Sequence, residues 1–176
     1  MNTRIISIAL LILFAIASRF VPHPPNFTPI IGVGLFAGAY ISRRIWAFIV
    51  PLLILLISDV VLGFHTTMIW VYGSIILIVA IGILLSKKSK ITSIIGGSIS
   101  GSVLFYIVTN FGVWITGGGF AHPLSFQGLM LCYIDAIPFF QNTLSSTVLY
   151  SGILFGAYEI LCRVVPALQL TKPVNE

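Results

Sequence analysis

Asp59 is the strongest candidate for a functional residue in this chain, because it lies in SDVVLGFH (58–65), at the end of a long apolar run. A carboxylate in such a run is costly unless it is paired, hydrated or protonated, and it is a functional candidate by default. Arg19 ends another apolar run at matching depth, so we predict an Arg19–Asp59 ion pair. The pair would either fasten two helices together or set the charge of a polar cavity, and both interpretations stay open.

Polar and aromatic side chains recur every four residues in two later runs. Residues at this spacing share one face of a helix. Amides and aromatic rings among apolar walls suit a pocket for a small, partly planar ligand. The alternative is that the aromatic residues form an interfacial belt and that the polar ones bond between helices. The two sets are Tyr106, Asn110 and Trp114, and Asn142, Ser146 and Tyr150.

No catalytic constellation is evident. His23, His65 and His122 lack the close spacing of zinc ligands, and neither HExxH nor GxSxG occurs. We therefore predict no enzyme activity, no metal and no cofactor. A metalloenzyme whose histidines converge with Asp59 or Asp135 is the least favoured alternative. The chain has no Walker motif, so ATP-driven activity would need another subunit.

The composition indicates a membrane protein. Of the 176 residues, 58% are hydrophobic and 7% are charged, and the mean hydropathy is +1.11. Soluble domains carry about 25% charged residues. The net charge of +5 does not indicate a nucleic-acid partner, since the cations form short clusters between apolar runs. We predict a multi-pass integral membrane protein, with the lipid bilayer as its surroundings.

The apolar runs predict an all-α, six-transmembrane-helix bundle that forms a single domain over residues 1–176. The second run is short for a span of about 20 residues. The first run, with Arg4 and AIAS (15–18), also fits a cleaved signal peptide, which would leave five spans. We favour an uncleaved helix, because only one cation precedes the run and Pro22 follows it closely. The predicted spans lie near 5–20, 29–42, 45–64, 68–86, 92–116 and 138–161.

The positions of lysine and arginine predict the orientation of the bundle. Cations precede span one, lie between spans two and three and between four and five, and follow span six. The loops after spans three and five have none, which places both termini in the cytoplasm by the positive-inside rule. Arg19 is the exception, at the outer end of span one. The cations that follow the rule are Arg4, Arg43, Arg44, Lys87, Lys88, Lys90, Arg163 and Lys172.

Under this orientation the unusual polar residues gather in the outer half, and we take them as a candidate substrate-binding set. The segment FVPHPPNFTPIIGVGLFAG (20–38) cannot be helical near its prolines, and it suits a lid over an outward pocket. The loop 117–137, with a hinge at Gly117-Gly118-Gly119, is its predicted counterpart. The candidate residues are Arg19, His23, Asn26, Asp59, Asn110, Trp114, His122 and Asn142.

Three glycine pairs indicate close helix packing, because glycines four residues apart let helix backbones approach. They are Gly34 and Gly38, Gly97 and Gly101, and Gly152 and Gly156.

The segments PPNFTPIIGVGLFAGAY, VPLLILLISDVVLGFH and WVYGS, between Arg19 and about Gly82, resemble an uncharacterised family of small bacterial inner-membrane proteins. That family resembles the S components of energy-coupling factor (ECF) vitamin transporters. The resemblance implies a six-helix bundle that captures a vitamin-like molecule from outside. It also implies docking onto an ECF coupling transmembrane protein with two ATPase subunits. Ala9, Ala15 and Ala17 depart from the Ala-x-x-x-Ala surface that S components use for this docking.

The leading hypothesis is therefore a membrane-embedded substrate-binding and transport subunit that captures a small, vitamin-like micronutrient from the outer side. The alternative is a structural or assembly membrane protein without a ligand, whose polar outer residues only pack the bundle.

Overall fold

The computed structural model describes residues 3–85, 90–117 and 122–165, and the side chains from residue 6 onward. This part of the chain folds into six α-helices and contains no strand, which confirms the prediction of an all-α chain with six helices. A short 3-10 turn, Ser18–Phe20, follows the first helix. The helices are α1 Thr3–Ala17, α2 Ile30–Tyr40, α3 Arg44–Leu62, α4 Met68–Leu85, α5 Ile91–Thr116 and α6 Phe126–Val164.

Four of these helices, α3 to α6, are long and apolar enough to cross a membrane. Large apolar side chains face outward from them, among them Val61, Leu84 and Ile160. An outer surface of this kind suits lipid and not water. The chain is therefore a helical membrane protein.

The short helix α2 lies at the centre of the bundle. Nine of its 11 residues are buried, and it contacts all five other helices. Its sequence, IIGVGLFAGAY, is apolar on every side, as expected of a helix that is covered all round. At about 1.5 Å per residue it is roughly 16 Å long, about half the thickness of a hydrocarbon core. The other helices therefore extend past it.

Glycine sets the distance between α2 and α4. A Cβ atom at Gly38 would collide with the carbonyl oxygen of Val79, and one at Gly82 would collide with that of Leu35. The predicted packing role of Gly152 and Gly156 is wrong within the described chain, because a Cβ at either position would meet no atom within 4 Å. These two glycines face away from the bundle.

We expect Gly38→Ala to destabilise the protein by about 1–3 kcal/mol, because the added methyl group must push α2 and α4 apart. The measurement is the free energy of unfolding in SDS titrations of the purified protein. Gly152→Ala is the matched control, and its effect should stay within about 0.5 kcal/mol. Equal effects of the two substitutions would show that α2 and α4 are not in close contact.

The last helix differs from the sequence prediction. We predicted a loop over 117–137 and a span starting near 138, but α6 begins at Phe126 and continues through Pro138. Ser125 caps it, its hydroxyl accepting a hydrogen bond from the Gly128 amide at 3.1 Å. Proline removes one helical hydrogen bond but is tolerated in membrane helices, and the run 126–137 is apolar enough to pack against α5. Pro138 therefore does not mark the start of the last helix, as the sequence had suggested.

Of the predicted glycine hinge, only Gly117 lies in the described chain. It ends α5 in a left-handed conformation, with φ of +65°, which favours glycine. Gly118 and Gly119 lie outside the described residues.

Candidate functional site

A cavity of about 260 Å³ lies at the N-terminal end of α2. Because α2 starts only at Ile30, it does not fill the space on the N-terminal side of its first turn. The neighbouring helices surround this space. The lining comes from five helices, the Ser18–Phe20 turn, the segment before α2 and the link between α3 and α4. Its polar members are Arg19, Asn26, Thr28, His65, Thr67, Tyr106, Thr109, Asn110 and Thr143.

The proline-rich segment, residues 21–29, is extended and turned, as its sequence predicts. The Phe27 amide donates to the Pro24 carbonyl at 3.0 Å, and Asn26 adopts a left-handed conformation with φ of +61°. The Asn142 side chain of α6 donates to the Pro25 carbonyl at 3.0 Å. The segment is thus fastened to α6, and it contributes Asn26 to the cavity lining.

The predicted ion pair between Arg19 and Asp59 is confirmed. Arg19 Nη2 lies 3.8 Å from Asp59 Oδ1, and the two side chains are 13% and 5% exposed. Arg19 Nη1 also donates to the Ser58 hydroxyl at 2.8 Å, and the Tyr72 hydroxyl donates to Asp59 Oδ2 at 3.0 Å. Arg19 is part of the cavity lining. Asp59 is not part of it and contacts Arg19.

Sequence reasoning missed Ser58 and Tyr72 as members of this network. Tyr72 lies in WVYGS, the segment that contributes to the family resemblance, but no spacing rule connects it with a residue 13 positions earlier. The contact depends on how α3 and α4 pack after the turn between them, which sequence periodicity does not specify.

The wall formed by α5 and α6 carries the polar residues of the first predicted stripe. Asn110 lines the cavity, and its Nδ2 donates to the Tyr106 carbonyl at 2.8 Å. The Tyr106 hydroxyl donates to the Tyr133 carbonyl, and the Tyr133 hydroxyl to the Ile107 carbonyl at 2.8 Å. These bonds join α5 to the first turns of α6, the part that was predicted as a loop.

Thr109 and Thr143 also line the cavity, and the sequence analysis missed both. Thr109 lies three residues after Tyr106, so the helical face that Tyr106 shares with Asn110 was the available signal. A threonine on an apolar helix is common, however, and its type alone does not indicate a site.

Five of the predicted site residues lie outside the cavity lining, namely Asp59, which pairs with Arg19, and four others. Trp114 donates through Nε1 to the Pro123 carbonyl at 3.0 Å, and His122 Nε2 lies 3.2 Å from Asp135 Oδ2. His23 is exposed, with Nδ1 2.9 Å from the Pro24 carbonyl, and Asn142 holds the proline-rich segment. These contacts fasten the segments around the cavity, so of the eight predicted residues the lining brings together Arg19, Asn26 and Asn110.

Metal-binding side chains do not converge in the described ranges, where no group of three or more His, Cys, Asp or Glu residues could hold an ion. His65 is the histidine in the cavity lining, where its Nδ1 lies 2.9 Å from the Thr67 hydroxyl. Cys132 and Cys162 are not joined in a disulfide. The cavity thus offers hydrogen-bonding groups and one paired cation.

The sequence profile of a family described as "Family of unknown function (DUF6580)" matches residues 1–168. No curated protein and no solved structure matches the chain.

Proposed function

The chain belongs to this family of unknown function, DUF6580, and we propose that it is a membrane-embedded substrate-binding subunit that captures a small molecule from the outer side of the bacterial inner membrane. One observation carries the proposal. A cavity of about 260 Å³ is lined by Arg19, Asn26 and Asn110, which come from three separate parts of the chain. Apolar walls with a few convergent polar groups are typical of small-molecule sites.

The proposed topology has six spans with both termini in the cytoplasm. The Ser18–Phe20 turn extends α1, and the proline-rich segment extends α2, so that each pair would cross the bilayer. Non-helical backbone at membrane depth is tolerated where it lines a wet cavity, which supports this arrangement. Arg43, Arg44, Lys90 and Arg163 follow the positive-inside pattern. The side chain of Arg4 and residues Lys87, Lys88 and Lys172 lie outside the described part.

The resemblance to ECF S components extends the proposal to a vitamin-like ligand and to transport. Release into the cytoplasm would then need a separate coupling protein with ATPase subunits, because the sequence has no nucleotide-binding motif. The outward apolar surface of the bundle is compatible with such a partner as well as with lipid.

Asn110→Leu tests whether the cavity holds a ligand. We expect wild-type protein, purified gently from its native membrane, to retain a small molecule in native mass spectrometry, and Asn110→Leu to lose at least about 90% of it, a loss of one good polar contact. The variant should stay folded, because within the described residues the Asn110 side chain bonds to a carbonyl of its own helix and to no other helix.

Thr116→Val is the matched control on the same helix. Its hydroxyl also donates to a carbonyl four residues earlier, at 2.6 Å, but it lies outside the cavity lining. The proposal predicts that this variant keeps the bound molecule. Empty wild-type protein in repeated preparations, or equal retention by Asn110→Leu, would contradict a binding function.

A structural or assembly role without a ligand is the second candidate. The observation that favours it is that Arg19, Asp59 and Tyr72 bond to one another, as groups that merely hold helices together would. The same mass-spectrometry experiment separates the two functions, because an assembly protein would be empty.

A further inference from the structure

The α5–α6 wall offers hydrogen-bond acceptors to the cavity. Thr109, Thr143 and Asn110 each donate to the backbone carbonyl four residues earlier, at 2.7, 3.0 and 2.8 Å. Since a carbonyl oxygen only accepts, both hydroxyl protons and one side of the amide are committed to the helices. The threonine Oγ1 lone pairs and the Asn110 Oδ1 remain for a ligand. This wall therefore suits a ligand with N–H or O–H donors.

Arg19 and the first turn of α2 offer donors elsewhere in the lining. Arginine has five N–H donors, and the contacts of Arg19 Nη1 with Ser58 and of Nη2 with Asp59 leave further N–H groups for a ligand. Ile30 begins α2 after Pro29, with no side chain capping the helix. The amides of a first helical turn have no acceptor within the helix, and its dipole is positive at this end. This part of the cavity therefore suits an acceptor.

The Arg19–Asp59 ion pair limits the net charge that a ligand can carry. The Asp59 carboxylate, 3.8 Å from Arg19, already balances the one arginine that the described residues contribute to the lining. A ligand carboxylate would leave one negative charge in excess beside two side chains that are only 13% and 5% exposed, and unpaired charge in such surroundings is expensive. A neutral carbonyl satisfies the Arg19 donors without this cost.

The volume of the cavity and its aromatic side chains limit the class of ligand further. The cavity, at about 260 Å³, is slightly smaller than the usual range of about 300–1,000 Å³ for small-molecule sites. Phe105, Phe139 and Phe140 are in its lining, and aromatic faces pack well against a planar ring. One ring with small substituents fits these limits.

We infer that the cavity binds a neutral, planar molecule that carries a carbonyl acceptor in one part and N–H donors in another. The inference rests on the proposed binding function and names its ligand class. The carbonyl would accept from Arg19 and the first turn of α2. The N–H groups would donate to Thr109, Thr143 and Asn110.

Three matched probes test this class on the full chain in lipid nanodiscs. 4-Aminobenzamide has the carbonyl and the amine donors, 4-aminobenzoate replaces the neutral acceptor with an anion, and 4-(dimethylamino)benzamide removes the amine donors. Isothermal titration calorimetry should show that 4-aminobenzamide binds at least about tenfold more tightly than either analogue, the effect of one lost hydrogen bond or one uncompensated charge.

Thr143→Val removes one proposed acceptor while keeping the side-chain shape. It should weaken binding of 4-aminobenzamide about tenfold and leave that of 4-(dimethylamino)benzamide unchanged. Thr147→Val is the matched control, since the Thr147 hydroxyl makes the same type of helical bond, at 2.7 Å to the Thr143 carbonyl, outside the lining. It should bind 4-aminobenzamide as the wild type does.

The outcomes separate the inference from the proposed function. Equal binding of the three probes, or tighter binding of 4-aminobenzoate, would overturn the ligand class and leave a binding site in place. Failure of all three to bind wild-type protein would overturn the class and the binding function together.

Discussion

Asp59→Ala is expected to lower the free energy of unfolding by about 3–5 kcal/mol, because Arg19 would stay buried without its counter-charge. The Arg19 side chain is only 13% exposed, so water cannot replace the lost carboxylate fully. The Tyr72 hydroxyl would lose its acceptor as well. The measurement is unfolding by SDS titration in mixed micelles, with helix content followed by circular dichroism.

The double variant Arg19→Met, Asp59→Leu separates the cost of an unpaired charge from the value of the pair. We expect it to be at least about 2 kcal/mol more stable than Asp59→Ala, because apolar residues of similar volume replace a buried pair at little cost. It should nevertheless lose the bound ligand, since the cavity lining would lack Arg19. Full ligand retention by the double variant would show that Arg19 is structural only.

Glu159→Ala is the control for an ion pair that water reaches. Arg163 and Glu159 lie 3.4 Å apart, with side chains 76% and 56% exposed. Such pairs are worth about 0–1 kcal/mol. An Asp59→Ala effect no larger than that of Glu159→Ala would mean that Arg19 finds another partner or water.

The ion pair was predictable because its physical reason is local to each residue. A carboxylate and a cation at similar depth in apolar runs must find partners, whatever the details of packing. The helix bounds of α1 to α5 were predictable for a similar reason, since apolar length and the breaks between runs fix them to within a few residues.

The lining of the cavity was less predictable. Trp114 shares a helical face with Asn110, but one turn farther along α5 it donates to the Pro123 carbonyl and not into the cavity. Periodicity gives the face of a helix but does not show what covers each turn of it. Thr143 lay within the predicted sixth span and was missed because a threonine on an apolar helix does not by itself indicate a site.

The central position of α2 also could not be derived from its sequence. An apolar run of this length fits a thin membrane crossing as well as a buried half-length helix. Its position is decided by packing against the five other helices, above all by the approach of α4 that Gly38 and Gly82 permit. The cavity exists because this helix is short, so its packing bears directly on function.

Phe36→Ala is expected to lower the free energy of unfolding by about 3–5 kcal/mol, the usual cost of removing a fully buried aromatic ring. Phe36 is 0% exposed, and its ring lies edge-on to Phe155 and Tyr158 of α6, with centroids 5.5 and 5.8 Å apart. Inside a bilayer this packing matters more than the transfer of apolar surface from water, because lipid is as apolar as the core. The loss of these contacts leaves a void that lipid cannot fill.

Phe14→Ala on α1 is the matched control. Phe14 is 64% exposed at the surface of the bundle, so its loss should change stability by no more than about 0.5 kcal/mol in the same SDS titration. Phe36 lies six residues below Ile30, which forms part of the cavity lining, so a loosened α2 should also weaken ligand binding. If Phe36→Ala were as stable as Phe14→Ala and bound ligand equally well, Phe36 would not hold α2 in the bundle. Other contacts would then have to fix the position of Ile30 in the cavity lining.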